Sequence, residues 1–236
     1  MTQALFQPVP TLFGFIVAAA LLFGLWYSRT THCFVAAMTA LLLLNAWHLD
    51  EVYLAFGSIP NASGTLLFVP AMAALMMCAG RHGTQAARQV LNAVCLGLMI
   101  LMVTNMRFLW YALFVSDAGA GEVTAFGDVR DTFLVLVKFH FAGSIMLLVR
   151  RELTKTKVPR ALWGTLPVVG AAILTLPINL YSVHFAHPDM NLWPVALGTI
   201  FVRSLVALFC SGIVLLLVAT TNEPIDPERR GRFGLG

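Results

Sequence analysis

Seven apolar stretches, each near the length needed to cross a bilayer, constrain this chain more than any other feature. They cover residues 11–28, 32–56, 65–80, 88–115, 131–149, 161–181 and 193–220. A helix of roughly 20 apolar residues spans the hydrocarbon core. Backbone facing lipid must satisfy its own hydrogen bonds, so such stretches fold as helices unless strands close into a barrel. No alternation of period 2 supports a barrel. The third stretch is the shortest and carries Pro70, whereas the fourth is long enough to tilt. Composition agrees: 59% of the 236 residues are hydrophobic and 11% are charged, against roughly 25% charged in a soluble domain. That is too little polar surface to coat a particle in water. The expected fold is an all-α membrane protein, a bundle of seven transmembrane helices over residues 1–221 with a short tail, 222–236.

The connections alternate in charge. Arg29 lies between stretches 1 and 2, Arg81 and Arg88 between 3 and 4, and Arg150, Arg151, Lys155, Lys157 and Arg160 between 5 and 6. The tail holds Arg229, Arg230 and Arg232. The opposite connections carry only Arg130. The positive-inside rule makes the basic side cytoplasmic. The N-terminus is then outside and the C-terminus inside a bacterial-type inner (plasma) membrane. Trp26, Tyr27, Trp110, Tyr111, Tyr181 and Trp193 fall near stretch ends, where amphipathic rings favour the interface. The net charge of +4 is thus a topology signal, and no basic run or helix face points to nucleic acid. No positively charged n-region precedes the first stretch, so a cleaved signal peptide is not expected. Cys33, Cys78, Cys95 and Cys210 form no C-x-x-C pair and read as packing residues, as do Met72, Met76 and Met77.

Ionisable groups at membrane depth are expensive and need partners or a task. If stretch 2 is helical to Phe56, its Asp50 and Glu51 lie ~8–9 Å below the outer end and His48 ~12 Å. On the same rise, Arg107 and Asn105 in stretch 4 lie ~12–15 Å down, Lys138 and His140 in stretch 5 ~10–14 Å, and Arg203 in stretch 7 ~15 Å. Four helices therefore put polar groups in one layer of the outer half of the membrane. Asn45, His48 and Glu51 share a helical face at i, i+3 and i+6, while Asp50 points about 100° from Glu51. The layer sets two acids against three permanent bases.

Two readings follow. The layer is an ion-pair network that fixes helix register, or it is a ligand site in which the surplus base suits a carboxylate, a lipid phosphate or a quinone oxygen. Replacing Arg203 with Gln separates them, because a structural network predicts loss of folded protein. His48 and His140 on different helices are a candidate pair for a b-type haem. His184, His187 and Asp189 in the last outer loop are weak metal candidates that lack a complete ligand set. Pro167 and Pro177 bend stretch 6, with Asn179 beyond them. No G-x-S-x-G, P-loop, H-E-x-x-H or G-x-G-x-x-G motif occurs, so no catalytic residue is assigned.

Stretch 7 has no lysine for a retinal Schiff base and no histidines of the ceramidase-class hydrolases, and stretches 1–3 and 5–7 do not repeat as in SWEET carriers. The expected role is a non-catalytic subunit or receptor-like module of a larger complex, with lipid and a membrane protein as partners. The tail is too short for a signalling domain, so output passes to another chain. A secondary transporter using the same layer is the first alternative, and a redox subunit carrying haem b or quinone the second.

Overall fold

The computed structural model describes residues 8–28, 30–49, 51–56, 58–62, 65–114, 119–156 and 160–221. Eight helices and one hairpin follow in order: α1 (Pro8–Tyr27), α2 (Thr31–Trp47), β1 (Val52–Ala55), β2 (Ile59–Ala62), α3 (Thr65–His82), α4 (Thr84–Phe114), α5 (Gly119–Thr154), α6 (Arg160–Leu174), α7 (Leu176–Ala186) and α8 (Leu192–Thr221). Among the described residues, five segments are long and apolar enough to cross a membrane: Thr65–His82, Thr84–Arg107, Val129–Thr154, Leu162–Ala186 and Leu192–Leu217. Gly14–Tyr27 and Thr31–Trp47 are shorter apolar helices. The protein is a helical membrane protein, and large apolar side chains such as Ile100, Val103, Phe141, Leu197 and Leu208 lie exposed on its helices, as lipid-facing positions require.

The bundle is organised on α3, which touches α1, α2, α4, α5, α6 and α8. The shortest stretch is thus the central one. Phe68 through Ala79 are all buried, a helix apolar all round and rich in Ala and Met, which suits close packing on every side. Pro70 lies inside it, close enough to the start that the helix continues past it.

Helix α2 stops at Trp47 and does not run on to Phe56, which corrects the second stretch. His48 leaves the helical region at φ −121°, ψ 20°. The chain then forms an antiparallel hairpin with register Val52↔Ala62, Tyr53↔Asn61, Leu54↔Pro60 and Ala55↔Ile59. Phe56 takes a left-handed φ of 51°, and Ser58 N–H donates to Ala55 O at 3.2 Å, closing a short loop. Two apolar runs around a Gly-containing turn are a hairpin signal, but apolarity alone does not separate a buried strand from a helix.

The hairpin packs on α7 and α8. Its β2 backbone meets α8 at Gly198, where a side-chain Cβ would overlap the carbonyl oxygen of Pro60 and stand 2.9 Å from Ile59 Cγ2. Ala62 N–H donates to Thr199 Oγ1 at 2.9 Å, and that hydroxyl donates in turn to Val195 O at 2.6 Å. Gly198 stands six residues inside the start of α8, a rise of ~9 Å. Non-helical backbone at that depth survives only where protein surrounds it; glycine and threonine of α8 supply the close fit and the missing acceptor.

The sixth stretch is also interrupted. α6 ends at Leu174, and Thr175 separates it from α7, which has Pro177 in its first turn. Pro177 cannot donate to the preceding turn. The Thr175 hydroxyl shares its one proton between Ala171 O and Ala172 O, each at 3.1 Å, while its backbone N–H reaches Ala171 O at 3.3 Å. α5 begins at Gly119, twelve residues before the fifth apolar stretch.

Candidate functional site

The hairpin, the start of α3, the break between α6 and α7, and the middle of α8 meet around Arg203. This residue is fully buried. Its Nη1 donates to Ala172 O at 2.8 Å and to Thr175 Oγ1 at 3.2 Å, and its Nε donates to Thr65 Oγ1 at 3.4 Å. Thr65 opens α3 and donates to Asn61 Oδ1 at 3.3 Å and to Ala62 O at 3.1 Å. The interrupted helix therefore offers a carbonyl that a continuous ladder would occupy, and the guanidinium takes it. Hydrogen bonds from a charged donor contribute about 1.5–3 kcal/mol each, which offsets part of the desolvation of a buried ion.

Three nitrogen and oxygen atoms at this place are buried without a well-formed hydrogen bond: Arg203 Nη2, Asn61 Nδ2 and the Tyr53 hydroxyl. They lie together for a structural reason. Tyr53 and Asn61 are register partners in the hairpin, Asn61 is tied to Arg203 through Thr65, and the Tyr53 phenol lies close enough to the Asn61 side chain for a weak hydrogen bond and within electrostatic range of Arg203. All three can donate.

A second buried base lies one turn along α3. Lys138 on α5 donates to Asn179 Oδ1 on α7 at 3.1 Å, and its Nζ sits 4.3 Å from the centroid of the Phe68 ring. Lys138 and Arg203 are within electrostatic range of each other. Further out, Asp131 accepts from Arg130 Nε at 2.7 Å and from Ser182 Oγ at 3.3 Å, tying α5 to α7.

The residues of the expected polar layer divide in this structure. Asn45, Lys138 and Arg203 are buried. His48 and Glu51 are not on a shared helical face, because α2 has ended; they pair with each other at 2.9 Å, with side chains 47% and 60% exposed. Glu51 therefore answers His48, not the bases. Asp50 lies outside the described residues. Arg107 is exposed on α4, and Asn105 donates to Thr132 Oγ1 across to α5 at 3.5 Å. His140 is exposed, with Nδ1 3.7 Å from Cys95 Sγ. The two histidines considered for haem are thus engaged with different partners on different elements. His184 lies in α7, His187 ends it, and Asp189 is exposed in the following turn. Among the described residues no group of three His, Cys, Asp or Glu side chains could hold a metal ion.

No family model, curated protein or solved structure matches the chain. What the site can do is read from its own chemistry. Tyr53, Asn61, Thr65 and Thr175, which complete the site, are uncharged and so carried no warning in a survey of buried charges. The turn-like GSIPNASG segment and the Thr175–Pro177 step were the available signals.

Proposed function

We propose that this chain is a multi-pass inner-membrane protein whose Arg203 cluster binds a small ligand in the outer half of the bilayer. It acts as a receptor-like module or non-catalytic subunit of a larger membrane complex. In this reading α1, α2 and the five longer segments make seven spans, with the N-terminus outside and the C-terminus cytoplasmic; the tail, 222–236, follows on the cytoplasmic side. The supporting observation is the coincidence of two helix interruptions at one fully buried guanidinium: α2 gives way to a hairpin, α6 breaks from α7, and both ends converge on Arg203. Broken helices and irregular backbone at membrane depth are how many membrane proteins build ligand sites.

The test uses protein in nanodiscs, followed by thermal unfolding with a short-chain monocarboxylate, an anionic phospholipid or a water-soluble quinone. One class should raise the melting temperature of the wild type, as a ligand of the folded state must, and leave a folded Arg203→Gln variant unmoved. No response to any class, or no folded protein from Arg203→Gln, would return the cluster to a purely structural role. A membrane partner predicts co-purification in mild detergent, and a solitary monodisperse particle counts against one.

A second reading is favoured by the break at Thr175 itself. A hinge between two half-helices beside the charged group suits a carrier. Accumulation of a substrate in proteoliposomes that Arg203→Gln abolishes would establish it. A redox subunit with haem would show a Soret band, and its absence from purified protein would remove that option.

A further inference from the structure

We infer that Arg203 Nη2, Asn61 Nδ2 and the Tyr53 hydroxyl form a site for one small monovalent anion, a halide or a carboxylate of formate size. The inference rests on the reading of the Arg203 cluster as a ligand site and specifies what that site takes.

Three observations support it. The three groups are all donors, and each is buried without a well-formed hydrogen bond; even with the weak contact between Tyr53 and Asn61, each keeps an N–H or O–H that a ligand can accept from, and leaving these unmet is costly. Arg203 is fully buried and every hydrogen bond it makes goes to a neutral oxygen: Thr65, Ala172 and Thr175. Those bonds orient the guanidinium, and among the described residues no carboxylate bonds it, so an anion contributes both acceptors and charge. The geometry limits size as well. Tyr53 and Asn61 face each other across one rung of a two-stranded ladder, and Gly198 holds that hairpin hard against α8. A bulky organic ligand would have to displace backbone.

The Tyr53→Phe variant isolates the idea, since it removes one hydroxyl that has only a weak contact with Asn61 and keeps the ring. A structural role predicts no loss of stability from this change. An anion site predicts weaker anion binding by about tenfold, the value of one hydrogen bond to a charged acceptor. Protein in nanodiscs is prepared in sodium gluconate and titrated with sodium chloride, bromide or formate at constant ionic strength, with thermal unfolding read by tryptophan fluorescence. The expected result is a saturable rise in melting temperature for the wild type, shifted to about tenfold higher anion concentration in Tyr53→Phe and weakened also in Asn61→Leu. Halide and formate arms distinguish a monatomic from a planar ligand. A folded wild type with no anion dependence, or a dependence identical in both variants, overturns the inference. If the three anions fail while a larger carboxylate, lipid or quinone stabilises through Arg203, the anion inference falls and the ligand-site reading stands. If nothing stabilises, both fall.

Discussion

Gly198→Ala tests whether the hairpin is truly seated in α8. The added Cβ would overlap the Pro60 carbonyl oxygen and stand 2.9 Å from Ile59 Cγ2 and 3.1 Å from the Pro60 carbonyl carbon. Two of these three atoms are backbone, so no rotamer change relieves the clash, and the hairpin must move off the helix. Overpacking of this kind costs about 1–3 kcal/mol. Displacement also lengthens the 2.9 Å bond from Ala62 N–H to Thr199 Oγ1, and losing a buried donor's partner costs about 1–3 kcal/mol. Alanine returns about 1 kcal/mol through its better helix propensity. The net expectation is a destabilisation of about 1–5 kcal/mol, centred near 3. Gly212, further along the same helix, is the control: a Cβ there meets nothing within 4 Å, so Gly212→Ala should be neutral or stabilising by up to about 1 kcal/mol. Unfolding in mixed micelles by SDS titration compares the two directly. If Gly198→Ala proves as stable as Gly212→Ala within about 0.5 kcal/mol, the ordinary scatter of benign substitutions, the hairpin is not packed as described.

Other consequences are simpler to state. Thr175→Val keeps shape but removes the hydroxyl that bonds Ala171 O and Ala172 O and accepts from Arg203; it should lower stability by about 1–3 kcal/mol, and a change below about 0.5 kcal/mol would show that the break does not depend on it. Glu51→Gln disturbs only the exposed pair with His48, so the effect on stability should stay below about 1 kcal/mol with ligand binding unchanged; lost binding would put Glu51 in the site. Cys33 is the exposed member of the four cysteines, near the start of α2. A membrane-impermeant maleimide should label it in inverted vesicles and not in intact cells, and labelling from outside would reverse the proposed orientation.

The apolar stretches showed where helices lie because desolvation of the backbone leaves little other choice. Arg203, Lys138 and Asn45 could be picked out as interior polar groups for the same reason. Depth, however, does not determine direction. Arg107 and His140 share the level of Arg203 along their helices yet lie exposed, because whether a side chain faces protein or lipid depends on neighbours that a single stretch does not reveal. The end of α2 was hidden for a different cause: Val52 to Phe56 is as apolar as the helix before it, and only the Gly-containing turn and Pro60 hint at strands. α3 comes from the shortest apolar stretch, and its short, small-residue sequence is what lets the other helices close around it.

The site's defining group is Arg203, and Arg203→Gln is the measurement that bears on it most directly. Yield of monodisperse protein and ligand-induced stabilisation are read on the same preparations, beside wild type. The expected result is folded protein in normal yield that no longer responds to ligand. Loss of folded protein would make Arg203 a strut that fixes helix register, and an undiminished response would place the ligand elsewhere.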